Sequence, residues 1–388
     1  MGAQTRPGST PPNATHSAAA TGSAADDLAG APILIMAGGT GGHIFPALAV
    51  AKELRRRGVK VVWLGVPGSM EARLVPANGF PIEWVRVGGI RGKGLATLAM
   101  APLRIAGAVL QALKVLRRVR PRAVLGAGGY VSGPGGIAAR LLGIPLLIHE
   151  QNAMPGMTNR WLARVATQVL QGFPNSFNAS AHARTVGNPV RADIAALADP
   201  AVRFSGRTGR ARLLVFGGSL GAQRLNAMVP SALSLLAPER RPEVRHQAGE
   251  RGIEAARVAY RDARVEADVT PFIDDMAAAY AWADVALCRA GAMTVAELQA
   301  AGLGALLVPF PGATDDHQTK NADTMVAIGA GRILQERDMT PDTLSACITD
   351  LTADRAHMLA MASAARGARV IDAAEHVADL CLAAGVPA

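Results

Sequence analysis

One local pattern occurs twice in this chain, about half its length apart. Ile33-Leu34-Ile35-Met36-Ala37-Gly38-Gly39-Thr40-Gly41-Gly42 is echoed by Leu213-Leu214-Val215-Phe216-Gly217-Gly218-Ser219-Leu220-Gly221. Each copy is a short apolar run, then a Gly-Gly-hydroxyl-x-Gly turn, then a helical pattern. A strand feeding a helix through such a turn is half of a βαβ unit, and βαβ units build parallel sheets covered by helices. The remaining apolar runs extend the series. They predict strands at Pro32–Met36, Val61–Leu64, Ala123–Leu125 and Pro145–Ile148, then at Arg212–Phe216, Val244–Gln247, Val285–Leu287 and Ala305–Val308. Helices are expected at Pro46–Arg57 and Leu103–Val119, the latter with Ile105, Val109, Leu113 and Leu116 on one face. A chain of 388 residues can bury two such cores. The turn-rich Val186-Gly187-Asn188-Pro189 marks the expected linker.

Glycine turns between strand and helix let a ligand approach the backbone, and the amides at the helix start attract anions. Thr40 and Ser219 add hydroxyls, and a third loop, 126–136 (GAGGYVSGPGG), follows the strand at Ala123–Leu125. All three should emerge at the carboxyl edge of a parallel sheet, where ligands bind. The ligand is not NAD. Ile44 stands where G-x-G-x-x-G needs its third glycine, and no acidic residue ends the strand at Val61–Leu64. A P-loop is absent as well. One rival fits by pattern: Gly217-Gly218-Ser219-Leu220-Gly221 matches the G-x-S-x-G elbow of α/β-hydrolases, with Asp284 and His317 in the order needed for an esterase triad. That reading lacks an oxyanion segment and leaves the first half idle.

The net charge of +10 is concentrated: from Trp84 to His149 there is no Asp or Glu but ten Arg and Lys residues. A one-signed stretch of this length points to an anionic partner. Stacking aromatics and nucleic-acid motifs are missing, so a nucleic-acid module is the weaker reading. A lipid surface fits better, because Gly88–Leu95 reads as a loop exposing Ile90 and Leu95 between cations. The opening thirty residues have the composition of a disordered tail, and no stretch is apolar for the length of a membrane span. Cys288, Cys347 and Cys381 follow neither disulfide nor metal spacing, which suits a reducing compartment.

Several residues could do chemistry. His43 closes the first glycine turn at a helix start, where an imidazole suits a general base. His149 and Glu150 follow the Pro145–Ile148 strand and should reach the same edge, for packing as readily as for catalysis. Glu297, near a helix start after the Val285–Leu287 strand, could accept hydrogen bonds from ribose hydroxyls. Asp315, Asp316 and His317 do not make a metal motif and suit sugar hydroxyls better.

These motifs come together in one family. GGTGGHIFPALAVA, GAGGYVSGPGG, HEQNAMPGMTNRWLA, VGNPVR, FGGSLGA, FIDDMAAAYAWADVALCRAGAMTVAE and DDHQTKNA appear in the order that resembles the MurG family, from about Ile33 to the C-terminus. These are bacterial UDP-N-acetylglucosamine:lipid I N-acetylglucosaminyltransferases of peptidoglycan synthesis. The resemblance implies a GT-B fold, with two Rossmann-like doubly wound parallel-sheet domains facing a central cleft. Residues 1–30 would be the tail, 31–188 the acceptor- and membrane-facing domain, and 189–369 the UDP-sugar domain. Residues 370–388 would be a helix crossing back to the first domain.

The implied reaction moves GlcNAc, with inversion, from UDP-GlcNAc to the C4 hydroxyl of MurNAc in lipid I, on the cytoplasmic face of the inner membrane. No cofactor is implied; anionic phospholipid and cell-wall synthesis proteins are the implied partners beside the two substrates. Matching by motif places donor contacts on Thr40, Gly41, Gly42, Asn152, Arg191, Ser219, Ile273, Ala292, Met293, Thr294, Val295, Ala296, Glu297 and Gln318. Ile273 would meet the uracil through its backbone. Relatives commonly carry Gln-Gln where this chain has His317-Gln318, so only Gln318 is carried over. For the base, His43 is the first choice and Glu150 the reserve.

Overall fold

The structure, a computed structural model, describes residues 30–87, 100–218 and 222–385. The tail, the loop bearing Ile90 and Leu95, and Ser219 lie outside the described residues. The chain forms two all-parallel sheets. The first contains β1 (Ile33–Met36), β2 (Val61–Gly65), β3 (Ile82–Trp84), β4 (Ala123–Gly126), β5 (Leu146–Glu150), β6 (Gln168–Gln171) and β7 (Arg184–Thr185), in spatial order β3-β2-β1-β4-β5-β6-β7. The second contains β8 (Arg212–Phe216), β9 (Glu243–Gln247), β10 (Asp268–Thr270), β11 (Val285–Cys288), β12 (Gly304–Leu307) and β13 (Gly331–Ile333), in order β10-β9-β8-β11-β12-β13.

The order in which successive strands are added across each sheet reverses at one place, between β1 and β4 in the first and between β8 and β11 in the second. The loops leaving such a switch point diverge, and the crevice between them is where open α/β sheets bind ligands. The central strands are buried on both faces: Ile33–Met36 and Val285–Cys288 are buried throughout. Each sheet therefore has an apolar cluster on either side, Ile33, Ile35 and Trp63 on one face of the first and Leu34, Met36 and Leu64 on the other. The fold expected from the sequence is the fold observed.

Most expected boundaries shift by a residue or more, and two of the shifts bear on the site. The first helix begins at Gly41 rather than Pro46, so Pro46 lies inside it; its missing N–H leaves one helical bond to Gly42 unmade. Strand β5 continues through His149 and Glu150, which were expected just beyond its end.

The C-terminal helix Ala373–Ala384 packs on the first sheet's side of the molecule, where Val377, Ala378 and Cys381 join the cluster of Ile33 and Leu54. Arg57 pairs with Asp379, and Arg122 donates to Leu382 O at 2.8 Å.

Candidate active site

At the carboxyl edge of the first sheet, β1, β4 and β5 end side by side. The turn after β1 and the loop after β4 pack backbone against backbone. A Cβ on Gly129, whose φ is +85°, would lie 2.3 Å from Gly38 O, and one on Gly128 would lie 2.7 Å from the His43 ring. Glycine at both positions is what lets the loops close and the imidazole fit. Ser132 Oγ ties the same turn, at 3.1 Å from Met36 O and 2.8 Å from Gly128 O.

The turn after β1 is organised from within by a buried side chain. Gly39 N donates to Glu71 Oε2 at 3.1 Å and Val66 N to Glu71 Oε1 at 3.2 Å, and Glu71 is 1% exposed. Glu71 thus ties the Gly39 amide to the loop after β2 and sets the shape of the turn. Thr40 and Gly42 are exposed beside it, and Thr40 makes no side-chain cap on its own helix. His43 is half-buried, with Nδ1 2.9 Å from Gln151 Oε1.

Glu150 is equally committed. Its Oε1 accepts from the Asn152 backbone and side chain, both at 3.0 Å; its Oε2 accepts from Gly156 N at 3.0 Å and Asn159 Nδ2 at 2.9 Å. It is 1% exposed. Four donors on a buried carboxylate describe a clamp on the 152–159 loop, and Asn152 is the residue it aims.

In the second unit, the loops after β11 and β12 meet at the carboxyl edge of the sheet. The helix Ala292–Ala301 starts directly after the β11 loop. Ala292, Val295 and Ala296 are buried in the core, leaving them only backbone to offer, while Met293, Thr294 and Glu297 are partly exposed. Glu297 Oε2 accepts from the Tyr280 hydroxyl at 3.0 Å, and Oε1 lies 3.5 Å from Arg191 Nε. Burial pushes the Glu297 carboxyl above its ordinary value, against the pull of Arg191 and Tyr280. Gln318 Oε1 accepts from Ala290 N at 3.2 Å and Phe310 N at 2.9 Å, joining the β11 and β12 loops. Ile273 packs at the margin of the second unit's core.

The two edges face each other. The helix Gly41–Arg56 approaches Ala292–Ala301, and Ala153 N donates to Asn321 Oδ1 across the boundary at 2.8 Å. Glu71, Gln151, Tyr280 and Asn321 were not singled out from sequence. Each acts on a partner brought near only by folding, so spacing along the chain carries no signal for them.

The esterase alternative fails on geometry. Asp284 precedes β11, at the amino edge of the sheet, whereas His317 follows β12 at the carboxyl edge. Asp284 is fully buried, paired with Arg207 and Arg355, and accepts from Arg212 N at 3.1 Å. It cannot orient a catalytic histidine. Among the described residues, no group of three or more His, Cys, Asp or Glu is placed to hold a metal ion.

Comparison with known proteins agrees with this architecture. Residues 33–171 match the glycosyltransferase family 28 N-terminal domain and residues 212–377 the family's C-terminal domain. A UDP-N-acetylglucosamine–N-acetylmuramyl-(pentapeptide) pyrophosphoryl-undecaprenol N-acetylglucosamine transferase of Nitrosococcus oceani is 56% identical, covering 90% of this chain and 98% of its own. The enzyme of that name from Marinobacter nauticus is 52% identical, covering 90% and 97%. The chain belongs to the MurG branch of glycosyltransferase family 28. The crystal structure of Acinetobacter baumannii MurG superposes with a TM-score of 0.81 at 43% identity, covering 91% of this chain and 99% of that one. The calicheamicin glycosyltransferase CalG4, at 16% identity and a TM-score of 0.64, shares the fold. Family membership thus makes the two switch-point crevices the halves of a glycosyltransferase cleft.

Proposed function

We infer that this chain transfers N-acetylglucosamine from UDP-N-acetylglucosamine to undecaprenyl-pyrophosphoryl-MurNAc-pentapeptide, lipid I, forming lipid II for peptidoglycan. The observation that carries this is identity above 50%, over nine-tenths of the chain, to transferases named for that reaction.

The second unit suits the donor. Glu297, held by Tyr280, offers Oε1 to ribose hydroxyls; the amides at the start of Ala292–Ala301, with Arg191 and Ser219, receive the diphosphate. The backbone at Ile273 is assigned to the uracil, and Asn152 and Gln318 to the sugar. Thr40, Gly41 and Gly42 are assigned to the donor as well, from the turn after β1. Attack by the MurNAc C4 hydroxyl in line with the departing UDP inverts the anomeric carbon, through a transition state with oxocarbenium character. His43 takes the hydroxyl proton. Glu150 holds Asn152 in place, and its saturated carboxylate makes it the loop's anchor rather than the base. The leaving diphosphate is stabilised by amides, helix dipole and Arg191.

Lipid I keeps its reacting sugar close to a bilayer, and the first unit has a face suited to one. No helix among the described residues is long and apolar enough to cross a membrane. The helices Ala101–Val119, Ser132–Leu141 and Met157–Leu162 pack side by side on one face of the sheet. Their outer surfaces expose Leu103, Leu110, Ile137, Leu141 and Trp161 among Arg104, Lys114, Arg140 and Arg160. Apolar side chains entering the interface, with cations each worth about 1 kcal/mol beside anionic lipid, give reversible docking on the cytoplasmic face. Saturation-transfer NMR tests the donor assignment: UDP-GlcNAc should show contact at both uracil and acetamide, and contact at neither would contradict it.

A further inference from the structure

His43, Gln151 and His149 form a hydrogen-bonded row that ends on a backbone carbonyl. His149 Nε2 lies 2.9 Å from Gly187 O, just after β7. Gln151 Nε2 lies 3.0 Å from His149 Nδ1 and 3.2 Å from His149 O. At the other end, Gln151 Oε1 lies 2.9 Å from His43 Nδ1. Ring tautomers and amide orientations are usually open choices. Here two backbone carbonyls, which can only accept, decide them.

Gly187 O requires the proton of His149 on Nε2, which leaves Nδ1 of the neutral ring as an acceptor. His149 O and that Nδ1 both require the NH2 of Gln151 on their side. The carbonyl of Gln151 therefore faces His43, and His43 must answer with an N–H at Nδ1. Gln151 and His149 are 1% and 3% exposed, so water does not compete for these bonds. Burial also holds the His149 imidazole below its ordinary pKa, favouring the neutral ring that the row requires. The Gln151 backbone is fixed as well, since Asn188 Nδ2 donates to Gln151 O at 2.9 Å.

We propose that Gln151 and His149 are positioning residues that lock neutral His43 with its proton on Nδ1, so that Nε2 alone can take the proton of the acceptor hydroxyl. This rests on the reading of His43 as the base. In the step, the acceptor O–H bond breaks and its proton passes to His43 Nε2. The freed electron pair forms the bond to the anomeric carbon, whose bond to the UDP oxygen breaks with both electrons leaving on UDP. The imidazolium so formed keeps its Nδ1–H on the Gln151 carbonyl and later returns the Nε2 proton to solvent. The histidine side chain in water prefers its proton on Nε2, the wrong atom for this role, which gives the row something to do.

The test is histidine-selective 15N NMR of the full chain at a pH where His43 is neutral, with its signals assigned by their loss in His43→Ala. The expected spectrum has His43 protonated at Nδ1 and bare at Nε2, and His149 the reverse. In Gln151→Leu, His43 should shift toward the Nε2–H form. There kcat should fall roughly tenfold, the worth of one lost hydrogen bond, with donor KM unchanged. A wild-type His43 protonated at Nε2 overturns the lock without any variant. A Gln151→Leu protein with the His43 tautomer and kcat of the wild type overturns it too. Full turnover in His43→Ala would instead remove the base reading, whatever the tautomers.

Discussion

Asn321 accepts a hydrogen bond from the backbone N–H of Ala153 at 2.8 Å, across the boundary between the two sheet units. Asn321 is fully buried, and its Nδ2 donates to Ala290 O at 3.0 Å while lying 3.3 Å from Asn152 Oδ1. One side chain thus joins the loop clamped by Glu150 to the loop ahead of the helix Ala292–Ala301. Asn321→Ala leaves Ala153 N and Ala290 O without their partner. The expected loss is about 2 kcal/mol of stability, at 1–3 kcal/mol for a buried unsatisfied group. Thermal unfolding measures it, and donor KM should rise with it because Asn152 loses its neighbour.

Glu297 should show a conflict between stability and function. Its folded carboxyl is raised above the ordinary 4.5, so its contribution to stability is fully present below that value and lost as pH rises through the folded value. Glu297→Gln removes the cost of a buried charge and keeps an acceptor for Tyr280. The variant should therefore unfold at a higher temperature than the wild type near pH 8, with the gap closing below pH 4.5. Donor KM should rise, because ribose loses a charged acceptor. An unchanged donor KM would take Glu297 out of the site.

His43→Ala should lower kcat by a factor on the order of 10² or more, the range for a general base, with UDP binding little changed. Steady-state kinetics with both substrates varied separates these effects.

The parts of the fold legible in the sequence were those where burial leaves a one-dimensional trace. Strands β1 and β11, and β8 after Arg212, are covered on both faces and read as unbroken apolar runs. Edge strands leave no such trace: Arg184–Thr185 is two exposed residues, and Asp268–Thr270 begins on an exposed acid. The glycine turns were legible as positions, but their use was not. Only the fold shows that Gly128 and Gly129 make room for His43 and Gly38, and that Glu71, 32 residues from Gly39, holds the Gly39 amide. Glu297 could be placed from its spacing after a strand; the Tyr280 hydroxyl that orients it could not.

Membrane docking predicts a definite pattern in vesicle co-sedimentation. Binding should rise with the fraction of anionic lipid, fall with salt, and weaken in Leu103→Glu/Leu110→Glu. Those side chains are 69% and 60% exposed, so the fold should tolerate the change. Equal binding to neutral vesicles at high salt, or no effect of the double substitution, would contradict the assigned face.

The central claim is inverting transfer of N-acetylglucosamine to lipid I, and the product's new glycosidic bond tests it most directly. The purified chain would be incubated with UDP-GlcNAc labelled with 13C at the anomeric carbon and with lipid I in anionic vesicles. NMR then follows that carbon from the α-linked donor. The account predicts a β-linked disaccharide on the undecaprenyl carrier, joined to C4 of MurNAc. An α linkage, or release of free N-acetylglucosamine with no disaccharide, would contradict it.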